Sequence, residues 1–263
     1  MKKILAILLS LIMIISLCAC GAKKSEAKTF TMGIDPEYPP FSYLGDDGEY
    51  TGFDVDICKA ACELLGWEFK VFGVNWDDKL IQLDANECDC IWSGMTLLDS
   101  MSEAGYVLSA PYFDNTQVIM VKEGSDIKSS ADLAGKVVGV QTATSAYDLL
   151  QDEEGQKALC DTFASLEVYE TYTVAFTALQ SGAIDAIAID VTSGNFLMSD
   201  TEGYKFLDEA LGSEQYAIGF RKGDEALCNK VNEALQALVN DGTYAEIGEK
   251  YPDIKDFLCL EAK

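Results

Sequence analysis

The sequence predicts an α/β protein of two lobes, on three observations. Short apolar runs alternate with segments of helical period, as in repeated βα units around a parallel sheet. The alternation begins at residue 29 and begins again after residue 121, so each half brings its own core strands. The run 184–189 is apolar enough for a strand buried on both faces.

The elements follow in order. Residues 29–34 read as a strand, stopped by Asp35-Pro36-Glu37-Tyr38-Pro39-Pro40, because proline ends both helix and ladder. Gly45-Asp46-Asp47-Gly48 is a loop tip. Phe53, Ile57, Ala60, Ala61, Leu64 and Leu65 form one helical face closed by Gly66. Strands are expected at 68–74, 88–92 and 117–121, with a helix at 76–83. The second half supplies a strand at 137–140 and a helix capped by Thr144 or Ser145. A strand at 166–169 and a helix at 173–181 closed by Gly182 come next. A strand at 216–221, an amphipathic helix at 224–239 and an Asp241-Gly242 turn complete the chain.

Composition removes whole classes of function. Among 263 residues there is no His and one Arg, Arg221, and the formal charge is −25. Without His, Ser-His-Asp and Cys-His catalysis, His-based zinc sites and imidazole pH sensing all fall away. So acidic a chain is unsuited to nucleic acid, whose phosphates require a basic footprint. No cofactor and no metal are expected.

The N-terminus reads as an address and an anchor. Lys2 and Lys3 precede a nearly apolar stretch, 4–17, whose roughly 21 Å of helix falls short of the ~30 Å membrane core. That is the secretory pattern, expected over residues 1–19. Leu17-Cys18-Ala19-Cys20 looks like a bacterial lipobox with Cys20 as the lipidated residue, and 20–28 is then a polar tether. Two acyl chains anchor a protein stably. Seven further cysteines remain, at 58, 62, 88, 90, 160, 228 and 259. An odd number is no complete disulfide framework, and buried free thiols are the expectation, with one bridge through Cys259 left open.

Several ordered segments then share one resemblance. They are Asp35-Pro-Glu-Tyr-Pro-Pro-Phe41, Gly52-Phe-Asp-Val-Asp56, Asn75-Trp-Asp77 and Cys88-Asp-Cys-Ile-Trp-Ser-Gly-Met-Thr96. Ser109-Ala-Pro-Tyr112, Leu133-Ala-Gly-Lys-Val-Val-Gly-Val140, Ala178-Leu-Gln-Ser-Gly-Ala-Ile-Asp185 and Gly219-Phe-Arg-Lys-Gly-Asp224 continue the series. Over 30–251 the chain resembles the extracellular solute-binding proteins, family 3, which deliver polar amino acids to ABC importers. The resemblance implies a periplasmic-binding-protein-like clamshell of type II with two hinge crossings, near 120–123 and 213–216. Lobe 1 would comprise 29–120 plus 214–263, and lobe 2 would comprise 121–213. It implies a monomer, lipid-anchored outside the cytoplasmic membrane, that closes on its ligand and passes it to an ABC permease.

Carried over residue by residue, the family's contacts place the ligand's ammonium at Asp190, whose competing role is a helix N-cap. Tyr38 and Trp76 become aromatic walls, and Ser93, Gly94 and Thr96 supply hydrogen bonds. Gln141 and Ser145 belong to the lobe-2 loop, and Asp35 meets a polar or basic side chain. One position departs from the pattern. Relatives carry an Arg five residues after the threonine to clamp the α-carboxylate as a bidentate pair, whereas this chain has Met101 there and no Lys or Arg between Lys79 and Lys122. With Asp35 and Asp190 in a cleft lacking a cation, a cationic or carboxylate-free ligand is favoured. Arg221 matches a structural position. A free-standing sensor for a membrane receptor is the alternative. A dehydratase on the same fold is the remoter one, for want of cationic clamps and of a nucleophile with its base.

Overall fold

The structure is a computed structural model that describes residues 27–263. The expected leader, residues 1–19, and the expected lipidation site Cys20 lie outside the described residues. Among the latter no helix is long and apolar enough to cross a membrane.

The first lobe is built on a five-stranded sheet in the order Glu68–Gly73, Thr29–Ile34, Cys90–Ile91, Gly219–Phe220, Val107–Leu108. The first three run parallel, and Gly219–Phe220 is antiparallel to both neighbours. Thr29–Ile34 is central and largely buried, while the edge strand keeps Glu68 outward, as edges do to discourage further pairing. The helix Phe53–Leu65 buries Phe53, Ile57, Cys58, Ala61 and Cys62, and Gly66 ends it in the left-handed conformation at φ 67°. A Cβ is costly there, hence the glycine. The seven cysteines among the described residues are all free, and five of them are buried. Burial drives the Cys90 thiol well above its usual range, so it packs as a small apolar group.

The second lobe carries a sheet in the order Ser165–Tyr169, Val137–Gln141, Ala186–Asp190, Phe113–Lys122, Tyr204–Phe206. Ala186–Asp190 is buried throughout, between a parallel neighbour and the antiparallel Phe113–Lys122. Here the structure corrects two sequence expectations. Met120 pairs with both Ile187 and Phe206, so residues 120–122 lie inside the second sheet, with Glu123 in the turn after it, and are not a crossing. The strand is ten residues long and starts well before 117, its opening masked in the sequence by polar Asp114, Asn115 and Thr116. Phe113, its first residue, faces Tyr216 in register, and the two rings stack with centroids 5.5 Å apart. Phe41 meets both rings edge-on. The passage between lobes is therefore made near 113–116.

The strand expected over 216–221 is likewise divided. Gly212–Tyr216 pairs with the second sheet and Gly219–Phe220 with the first, so the chain changes lobe between them. One apolar cluster runs from Phe30, Phe53 and Tyr216 through Tyr38 into Tyr172 and Phe176 of the second lobe. A separate cluster around Val138, Val140, Leu150 and Ala188 stabilises the second lobe by itself.

Candidate functional site: the cleft between the lobes

A cavity of ≈ 270 Å³ opens where the two lobes face each other. α/β sheets place ligand sites at the carboxyl ends of their strands, and three such ends meet here. Gln141 and Asp190 each close a strand of the second sheet. Gly94 and Thr96 follow the short strand Cys90–Ile91 of the first.

Of the residues expected at the site, Tyr38, Trp76, Gly94, Thr96, Gln141, Ser145 and Asp190 line this cavity, and so does Met101. Ser93 and Asp35 do not. Ser93 is fully buried; its Oγ accepts the Asp35 N–H at 3.0 Å and shares a hydrogen bond of 2.6 Å with Ser42, so it shapes the Pro-rich turn. Asp35 lies behind Gln141, whose Nε2 donates to Asp35 Oδ2 at 2.9 Å, and it faces a smaller polar cavity beyond Trp76. Burial raises its carboxyl above the usual range against the pull of the Glu37 N–H and the Gln141 amide.

Asp190 is 3% exposed. It occupies the N-cap position of the helix Val191–Met198 but makes no capping bond with its side chain. Three donors converge instead on one oxygen, Oδ1: Asn115 Nδ2 and Gln117 Nε2 at 2.6 Å each, and the Tyr216 hydroxyl at 2.7 Å. The competing capping role is not the one the side chain plays.

Sequence reasoning missed a second acid here. Glu214 accepts from Thr96 Oγ1 at 2.6 Å and from the same Asn115 and Gln117 amides. Burial, then the nearby Asp190 charge, push its carboxyl up to about 7. Because the folded value lies above the unfolded one, Glu214's contribution to stability is full below about pH 4.5 and is lost as pH rises through about 7. Asp54, raised to about 7 by burial, acts in the same direction. Glu214→Gln is therefore expected to flatten the fall in melting temperature between pH 5 and 8. The part removed is on the order of 2–3 kcal/mol at about 1.4 kcal/mol per unit. An unchanged slope in thermal scans across that range would contradict this.

Gly94 shows why the loop before Thr96 needs glycine. Its φ is +53°, and a Cβ there would collide with the Tyr38 ring. Its N–H donates to Asp54 Oδ2 at 2.7 Å, which also accepts the Tyr112 hydroxyl at 2.8 Å. That is the work of the acid in the Gly52-Phe-Asp segment. Gly94→Ala should cost about 1–2 kcal/mol for the left-handed backbone and displace Tyr38 from the wall. The expected result is a melting temperature lower by several degrees with ligand affinity reduced about tenfold; unchanged affinity in calorimetry would separate Tyr38 from binding.

The lobes are joined by three consecutive residues. Besides the Gln141 bond, Thr142 Oγ1 donates to Asp77 Oδ1 at 2.9 Å, and the Ala143 carbonyl accepts Trp76 Nε1 at 3.0 Å. Ala143 holds φ +51°, a conformation uncommon outside glycine. Thr144, not Ser145, caps the helix Ser145–Gln151, so the Ser145 hydroxyl is not spent on the cap.

The expectation of a cleft without a cation is corrected. Lys79 lines the cavity, its Nζ 4.4 Å from the centre of the Trp76 ring, a cation–π contact. Lys79 stands three residues after Trp76, a spacing that puts neighbours on one helical face, and this was the available signal. Arg221 is where the sequence implied, away from the cleft. It pairs with Asp224 at 3.0 Å and Asp89 at 3.5 Å and donates to the Cys88 and Leu83 carbonyls.

Residues 30–253 match the bacterial extracellular solute-binding proteins, family 3. The chain belongs to this family. It is 31% identical over 233 residues to the L-cystine-binding protein TcyJ of Escherichia coli K12, covering 87% of this chain and 84% of that one. Identity to the ABC transporter glutamine-binding protein GlnH of Bacillus subtilis is 31% over 275 residues, covering 95% and 97%. Among solved structures, an ABC uptake transporter substrate-binding protein from Streptococcus pneumoniae with bound histidine superposes with a TM-score of 0.80. It is 30% identical and covers 85% of this chain and 92% of that one. The type II clamshell of this solute-binding protein is thus shared with proteins that bind amino acids.

Proposed function

We propose that this protein captures an amino acid in the interlobe cavity and delivers it to an ABC permease. The observation that carries the reading is Asp190, a buried carboxylate at a strand end with three donors on one oxygen and the cavity beside it. A ligand ammonium satisfies that charge, and Tyr38 and Trp76 flank it with aromatic faces that favour cations by about 0.5–2 kcal/mol. Thr96, Gly94, Gln141 and Ser145 supply polar contacts around it. Asp35 acts through Gln141 and Ser93 through Asp35, so both position the wall. The relatives that bind cystine and glutamine, and the histidine-bound neighbour, support an amino-acid ligand. Lys79 in the wall weakens the case for a ligand without a carboxylate.

The same reading makes the protein an exported lipoprotein. Residues 1–19 are removed, Cys20 carries the acyl chains, and the body stands as a monomer outside the cytoplasmic membrane beside its permease. We read it as a binding protein, as its cystine-binding and glutamine-binding relatives are. Calorimetry with the twenty common amino acids and cystine tests the reading. Saturable one-to-one binding of at least one, at micromolar or tighter Kd, is expected; silence across the panel would end it.

A further inference from the structure

The position of the family's carboxylate-clamping arginine is filled by Met101, 7% exposed and packed in an apolar cluster with Met95, Val74 and Leu83. Where this wall reaches the cavity it is formed by Met101, Met95, Leu80 and Leu98. Ser100 also lines it and offers a hydroxyl, but this wall carries no cation to pair with an anion.

The only cation in the cavity wall among the described residues is Lys79. Its Nζ donates to the Trp76 carbonyl at 3.1 Å and, at a long 3.5 Å, to the Ala143 carbonyl. An ammonium has three N–H donors, so one is unspent and a second is weakly held. The charges facing it are Asp148, Asp77 and Asp35. Asp77 is engaged by Thr142, and Asp35 by Gln141. Asp148 lines the same cavity but makes no ion pair with Nζ among the described residues, so a ligand carboxylate would share the Lys79 charge with it. The contact with Ala143 places Nζ beside the loop that leads to Ser145, whose hydroxyl also lines the cavity.

We propose that Lys79 replaces the missing arginine as the holder of the ligand's α-carboxylate, together with Ser145. The inference rests on the amino-acid reading above and deepens it. The ligand keeps both charged ends, its ammonium at Asp190 and its carboxylate between Lys79 and Ser145. The apolar patch at Met101 takes ligand surface in place of the carboxylate. A lysine acts as a point charge where arginine imposes a planar fork, so the site tolerates more than one carboxylate orientation.

The test pairs each amino acid with its decarboxylated amine: histidine with histamine, arginine with agmatine, cystine with cystamine. Titrations use the full chain in mild detergent. The wild type should bind the acid of its preferred pair at least about 10-fold more tightly than the amine, and Lys79→Met should weaken the acid about 10–100-fold, the span of a charge-assisted hydrogen bond. The amine should shift by less than about threefold, and Lys79→Arg should recover most of the loss. Thr142→Val, which removes a bond between the lobes without touching charge, should weaken acid and amine alike. A Lys79→Met protein that weakens both ligands equally would make Lys79 a bridge between lobes, and one that leaves the acid unchanged would also overturn the assignment. A wild type that binds an amine as tightly as its acid refutes it too. A wild type that binds none of the six ligands, nor any amino acid of the wider panel, refutes the amino-acid reading itself, and this proposal with it.

Discussion

Asp190→Asn should lower amino-acid affinity by about 100-fold or more while leaving the protein folded. The substitution keeps an oxygen for the Asn115, Gln117 and Tyr216 donors and removes the charge. A buried ligand ammonium would then face an amide, and truncating one partner of a desolvated, hydrogen-bonded charge pair costs about 2–5 kcal/mol. Most of the loss should fall on the dissociation rate, as is usual for changes within one interface. Stopped-flow fluorescence of Trp76, which lies in the cavity wall, would separate the two rates. Binding within fivefold of wild type would remove Asp190 from the site.

Phe113→Ala should be the most destabilising single truncation along the crossing strands. The ring is fully buried and contacts Phe41, Phe53, Tyr216 and Phe257 with centroids 5.1–6.0 Å apart. Truncating a core phenylalanine costs about 3–5 kcal/mol, part transfer and part cavity. For a chain of this size the melting temperature should drop by about 10 °C. Phe113→Leu, which refills much of the space, should lose less than half of that. A drop under about 3 °C for the alanine variant would show that the aromatic cluster can collapse onto the gap. Because Phe113 stacks on Tyr216, and Tyr216 donates to Asp190, ligand affinity should fall as well.

Legibility in the sequence followed the physics of each signal. The helix over residues 53–65 was readable because its buried face has helical period and Gly66 terminates it. Asp190 was readable because an acid directly after an apolar strand has few other places to be. The crossing was misplaced because Asp114, Asn115 and Thr116 look like loop, although the first sits on the exposed face of the strand and Asn115 is buried by bonding to acids. Glu214 was invisible for a related reason: its importance comes from Asn115 and Thr96, roughly a hundred residues away, and no local pattern reports such a partner. Ser93 and Asp35 were assigned to the ligand on resemblance, and the fold sets them one layer back. Lys79 was passed over in favour of the missing arginine, although its spacing from Trp76 was on view.

The three bonds made by Gln141, Thr142 and Ala143 to the opposite lobe have a consequence for ligand capture. Each joins protein to protein, so closure is partly encoded in the chain. At a net 0.5–1.5 kcal/mol per hydrogen bond, the set biases the closed form by roughly 10- to 1,000-fold. A ligand meeting a receptor already inclined to shut surrenders less of its binding energy to shutting it. The same bias lowers the contrast between the ligand-bound and the free protein. Scavenging a scarce nutrient rewards the first property and tolerates the second.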